Sequence, residues 1–275
     1  MATNRIVDCH AHIIDPRRFA YADGPGYTPR PDETGTREAF SAVLQAHKVE
    51  HALLVQPSCY GLDNAAMIDA MSNDPGRFKA IAVVSPDASD RELNDLAERG
   101  VVGVRFNLVN YDRNALAGPD GTRLLDRLKS VGWFAQIYAD DEQWPELARL
   151  LRLSRVKILI DHFGVRDLAA GTRTCGFQTV LELGREGNAT VKLSAPFRVT
   201  SQPGAYAELE SFVEALLESF GVEHCVWGSD WPFLAVRREI RYGDLLADLE
   251  RWLPNRKDRD QVLWFNPIRL FGFAG

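Results

Sequence analysis

Short apolar runs of strand length recur along this chain with amphipathic stretches between them, and the alternation repeats eight times. No other feature constrains the fold as much. The runs are Arg5 to His12, Ala52 to Pro57, Phe78 to Val84, Val101 to Asn107, Trp133 to Tyr138, Lys157 to His162, Thr190 to Ser194 and Cys225 to Asp230. Between them, segments such as Arg37 to His47, Asn64 to Met71, Asp90 to Glu98, Gly121 to Ser130, Gln143 to Leu151 and Tyr206 to Ser219 carry apolar residues at helical spacing. A helix between consecutive strands returns the chain to the same edge, so the strands run parallel. Eight such units in 275 residues predict an α/β fold, one (β/α)8 TIM barrel occupying residues 1–275 as a single domain. An open dinucleotide-binding sheet would show G-x-G-x-x-G after the first strand, and this chain reads DCHAHIID there.

In such a barrel the chemistry sits at the C-terminal ends of the strands, so polar residues there are the first candidates. His10 and His12 are two apart on the first strand, and a period of two points both rings to the barrel interior, where they suit a metal or a polarised carbonyl. His162 ends the sixth run and Asp230 the eighth, in the sequence GSDWP. Each alone is readily structural; together they gather at one pole. Around them stand Ser58 after the second strand, Arg105 and Asn107 on the fourth, Gln136 and Tyr138 on the fifth, Lys192 and Ser194 on the seventh, and Arg198 just beyond. A guanidinium at the mouth grips a carboxylate in bidentate fashion, which implies a small anionic substrate. His47, His51, His224, Asp8 and Asp161 read as structural, Asp161 because its parity opposite to His162 turns it away from the axis. Phe19, Tyr21, Trp231 and Phe233 fit either the pocket wall or the core.

A net charge of −6 without a basic stripe argues against a nucleic-acid partner. No apolar stretch approaches the roughly 18 residues that cross a bilayer, so a membrane partner is not expected either. The four cysteines form no CxxC pair or framework spacing, and MATNRIVDCHAH lacks a signal-peptide pattern, so a cytoplasmic protein is expected. A homo-oligomer stays open.

DCHAH, GVRFN, IDHFG, GSDWP and the terminal NPIRLFGF together resemble the amidohydrolase superfamily, over essentially the whole chain. The resemblance is to the branch with 2-pyrone-4,6-dicarboxylate lactonase and related lactonases. It implies a hydrolase acting on a small carboxylated lactone, with His10, His12, His162 and Asp230 as catalytic residues and Asp230 activating water. It further implies that Arg105, Tyr138 and Arg198 hold the substrate, with Ser58 and Asn107 nearby. The place of the superfamily's strand-five histidine is taken by Gln136 and Tyr138 and that of its strand-four lysine by Arg105, so a binuclear metal site is not expected. The expectation is no required cofactor, or one divalent metal, zinc first, on His10, His12, His162 and Asp230. The dicarboxylate clamp of the pyrone lactonase uses several arginines after strand four, where this chain offers only Arg113. A zinc-dependent decarboxylase of the aminocarboxymuconate semialdehyde type, or a barrel that only binds a ligand, are the alternatives.

Overall fold

Each of the eight apolar runs forms a strand in the computed structural model, which describes residues 5–24, 27–110, 112–200 and 206–275. The strands are β1 Ile6–Ala11, β2 Val49–Val55, β3 Phe78–Ala82, β4 Val101–Asn107, β5 Phe134–Tyr138, β6 Lys157–Ile160, β7 Ala189–Ser194 and β8 Cys225–Gly228. All neighbours pair in parallel in the order β1 to β8. The sheet closes on itself beyond β8, where Asp230 N–H donates to His10 O at 2.7 Å and His12 N–H donates to Trp231 O at 2.8 Å. Residues 1–4, 25–26, 111 and 201–205 lie outside the described residues.

Helices lie between strands as α1 Arg37–Ala46, α2 Ala65–Asn73, α3 Asp90–Glu98, α4 Gly118–Ser130, α5 Trp144–Ser154, α6 Cys175–Arg185, α7 Pro196–Val199 and α8 Tyr206–Phe220, and α9 Tyr242–Trp252 follows β8. Their starts are written locally. Thr36 Oγ1 accepts from Ala39 N–H at the head of α1, and Ser89 Oγ accepts from Glu92 N–H at the head of α3. The head of α6 is held twice: locally by Thr174 Oγ1, which accepts from Phe177 N–H, and from outside the helix by Asp141, which takes the N–H groups of Gly176 and Phe177 at 3.1 and 3.0 Å.

Two apolar layers follow from the strand period. The lower barrel interior holds Val7, Cys9, Leu53, Val55, Ile81, Phe134, Leu159 and Val226, and the C-terminal residues Trp264, Phe271 and Phe273 close its floor. The outer layer lies between strands and helices, where Leu124, Leu125 and Leu128 of α4 are buried, each worth about 1.5–3 kcal/mol on burial. Phe19, Tyr21, Trp231 and Phe233 pack on this outer layer and leave the pocket to other groups; the Trp231 ring lies 4.8 Å from that of Phe40.

β1 carries a register shift between Asp8 and Ala11. Val7 and Cys9 belong to the interior layer while Ala11 belongs to the outer one, so the shift lets His10 and His12 follow Cys9 into the barrel. Asp161 departs from the expectation that it points away from the axis. The strand ends at Ile160, Asp161 keeps the inward direction of Leu159, and a positive φ of 48° at His162 swings the next side chain into the same space.

Candidate active site

The groups expected from four separate strand ends meet in one place. His12 Nε2 lies 3.1 Å and His10 Nε2 3.6 Å from Asp230 Oδ1. The His10 and His162 ring centroids are 4.6 Å apart, and His10, His12, His162 and Asp230 are all buried. The approach of β1 to β8 depends on Gly228, because a Cβ there would stand 2.7 Å from His10 Cβ and from its backbone nitrogen. Asp8 ties the same two strands from behind: it accepts from Ser229 N–H and Oγ, His10 N–H and the Tyr242 hydroxyl. That makes Asp8 the structural residue expected.

Hydrogen bonding fixes the histidines. His12 Nδ1 faces the Val55 carbonyl at 2.7 Å, which can only accept, so Nδ1 carries the proton and Nε2 turns to Asp230. His12 Nε2 and Asp230 Oδ1, 3.1 Å apart, are then both acceptors, and the gap between them can take up one proton or a cation. His162 Nδ1 lies 2.9 Å from Ser194 Oγ; burial pulls its pKa down to about 4 against the pull of Asp230 and Asp161, so the ring is neutral at pH 7. Burial raises the Asp230 pKa, but Arg198, His162 and the His12 hydrogen bond outweigh it and hold the carboxyl well below the usual range.

Beneath the histidines is a second layer, whose Lys192, Gln136 and Arg105 the sequence places at strand ends but whose connection through Asp161 it does not show. Lys192 is fully buried, with Nζ 2.8 Å from Gln136 Oε1, 3.1 Å from His10 Nδ1 and 3.2 Å from Asp161 Oδ1. Asp161 also takes Gln136 Nε2 at 3.1 Å and Arg105 Nε at 3.4 Å. Lys192 and Ser194 alternate on β7 as His10 and His12 do on β1, so a period-two reading of that strand carried the signal. Two carboxylates, Asp161 and Asp230, thus face three cations, Lys192, Arg105 and Arg198, and the surplus is positive.

The cup above is small, about 90 Å³, and its wall includes His12, Ser58, Arg105, Asn107, Tyr138, His162, Arg198 and Asp230. Every residue expected from the sequence to bind substrate stands there, some already engaged. Arg198 holds Asp230 Oδ2 through Nε and reaches Leu234 O through Nη1, so it grips the carboxylate expected to activate water. Asn107 Oδ1 accepts from Val109 and Asn110 N–H groups, shaping the loop after β4. Arg113 is exposed and paired with Asp140 and Glu142, outside the cup. Tyr27, from the loop after β1, also lines it, and nothing in the sequence around it announced that.

Donor atoms of His10, His12 and Asp230 lie within 4.8 Å of one another, as do those of His10, Asp161 and His162. The first set fits one divalent cation, since His10 Nε2 is buried without a hydrogen-bond partner among the described residues and points at the same carboxylate oxygen as His12.

A parallel eight-stranded barrel with histidines and an aspartate at the C-terminal strand ends is the architecture of a barrel hydrolase. The Amidohydrolase family model matches residues 7–273, and the chain belongs to that family. A 4-sulfomuconolactone hydrolase of Rhizobium radiobacter is 30% identical over 273 residues, 96% of this chain and 89% of that protein. A Comamonas testosteroni protein named 2-pyrone-4,6-dicarbaxylate hydrolase is 29% identical over 277 residues, 96% of this chain and 89% of that one. Among solved structures, a "probable 2-pyrone-4,6-dicarboxylic acid hydrolase" from Acinetobacter baumannii with citric acid bound superposes with a TM-score of 0.90 at 29% identity, covering 98% of this chain and 99% of that one.

Proposed function

We propose that this protein hydrolyses a small carboxylated lactone, with Asp230 as the general base. The observation that carries the reading is the Asp230 carboxylate, buried at the cup floor, kept ionised by Arg198 on one oxygen and aimed by His12 on the other. Asp230 takes a proton from water, and the hydroxide formed attacks the ester carbonyl. The proton is held between Asp230 Oδ1 and His12 Nε2, where the geometry leaves room for one positive charge. The neutral His162 ring on the cup wall faces the developing oxyanion, while His10 Nε2 is turned to Asp230 Oδ1 from below. The ring carbon–oxygen bond then breaks, and the alkoxide recovers the proton to give a hydroxy acid. The positive surplus of the cup, with Arg105, Tyr138, Ser58 and Asn107 on its wall, holds the substrate carboxylate and keeps it in line with the base.

His10, His12 and Asp230 would hold a divalent cation, which when bound would polarise the carbonyl and lower the pKa of its water. The two inward places of β5 toward the cup belong to Gln136 and Tyr138, and Gln136 is spent on Asp161 and Lys192, so the histidine that the decarboxylase alternative needs is missing. The buried thiols Cys9, Cys59 and Cys225 suit a reducing cytoplasm.

Asp230→Asn assayed on a panel of carboxylated lactones should lose about 10²–10⁴-fold in kcat with the fold intact. Undiminished turnover would remove Asp230 from its role. Dialysis against a chelator should leave at least about a tenth of the activity, because three fixed cations already surround the reacting centre. Complete loss restored by zinc would assign the polarising role to the ion.

A further inference from the structure

Beside the cup lies a second cavity of about 210 Å³ between the loops after β2, β3 and β4, and the two share Ser58, Arg105 and Asn107 as wall. Taken together they reach roughly 300 Å³, the low end of small-molecule sites. The side cavity is lined by Leu62, Val83, Val84, Pro86, Phe106 and Ala115. Its polar side chains are few: besides Arg105 they are Gln56, Ser58, Ser85, Asn107 and Asp112. Gln56 Oε1 is a buried acceptor without a donor among the described residues, and Asp112 adds a carboxylate. Arg105 is its single cation, and that guanidinium is directed to Asp161 and the Gln56 carbonyl. An anionic group placed there would face the Asp112 carboxylate and Gln56 Oε1, and its one cation would be the Arg105 that the carboxylate in the cup also claims, whereas an apolar group meets six hydrocarbon walls. On the far side of the cup the wall continues as Arg166, Arg198, Arg237 and Arg238, so charge is sorted across the site.

We propose that the substrate carries an uncharged, apolar arm that fills this side cavity while its lactone ring and carboxylate occupy the cup. This rests on the lactonase reading and narrows it: the second acidic group named in the relatives' substrates is replaced here by an alkyl or aryl substituent. The site therefore selects amphipathic lactones with one anionic end.

The test uses γ-lactone carboxylates bearing hydrogen, methyl, propyl or a second carboxylate on the ring, together with the matching lactams, which bind without hydrolysis. In the wild type, kcat/KM and lactam affinity should each rise about fourfold per methylene, so tens of fold from hydrogen to propyl, and fall for the second carboxylate. Ala115→Phe, which fills the cavity, should bring the propyl-to-hydrogen ratio near one. Leu62→Asp, at a residue 50% exposed and so tolerant of change, should lower the same ratio without a folding cost. Turnover with no gain from propyl, or a preference for the dicarboxylate, overturns the apolar arm alone. Tighter propyl-lactam binding with no lactone turned over supports the arm and overturns the lactonase reading. Failure of both binding and turnover overturns both.

Discussion

Asp8 and His162 sit on either side of the same strand ends, and burial pushes their protonation in opposite senses. Burial raises Asp8 to about 6 although Ser229, His10 N–H and Tyr242 all pull it down, and burial lowers His162 to about 4. As pH falls from the ordinary histidine value of 6.5, the unfolded chain takes up a proton that folded His162 refuses, so this residue withdraws stability down to about pH 4. The folded Asp8 keeps its proton up to about pH 6, whereas the unfolded one loses it near 3.8, so Asp8 adds stability as pH falls across that span. Each effect amounts to about 3 kcal/mol in full, and in the wild type they largely cancel. His162→Asn should unmask Asp8: between pH 6.5 and 5 its Tm should rise by about 2–4 °C, while the wild type's holds or falls slightly. A falling Tm in the variant would show that Asp8 is already ionised in the folded protein.

At the scale of elements, the strands and most helices answer to local rules, and α6 adds a long-range one to its local cap. Its head is held by Thr174 and by Asp141 from the turn after β5, and the backbone there passes so close that a Cβ at Gly176 would stand 2.1 Å from the Asp141 carbonyl oxygen. Neither the helix nor the turn can shift without losing the other's hydrogen bonds. Gly176→Ala should therefore cost about 3 kcal/mol and lower Tm by about 5–10 °C, measured by thermal unfolding. An unchanged Tm would mean that the α6 cap has slack. Because His162 and Arg166 lie on the segment that leads into α6, part of the loss should show as a raised KM.

Across the whole molecule the two ends of the barrel divide the work. The polar end holds the cup, and the opposite end is plugged by Trp264, Phe271 and Phe273, with the Arg5 guanidinium 3.7 Å from the Trp264 ring. Asn266 fastens this plug by donating to the carbonyls of Val222 and Cys225 at 2.8 Å each. Trp264→Ala should cost about 3–5 kcal/mol in denaturant unfolding while kcat/KM of the folded enzyme stays within a few-fold of wild type. A large drop in kcat/KM would show that the floor also sets the geometry of the cup. No helix among the described residues is long and apolar enough to cross a membrane.

The repeat of eight strand and helix units, the inward pairing of His10 and His12, and the polar ends of β4, β5 and β8 were legible in the sequence, because periods of two and 3.6 residues are local properties of the chain. The capped starts of α1 and α3 were local too. Asp161 was misread because its parity was taken against His162, which turns inward only through its own left-handed φ just beyond the end of β6, a feature not visible in strand parity. The charge network of Lys192, Asp161, Arg105 and Gln136, the hold of Arg198 on Asp230 and the apolar cavity beside the cup were decided by tertiary structure alone. They join residues from different strand ends, and through-space electrostatics and packing leave no periodic trace along the polymer.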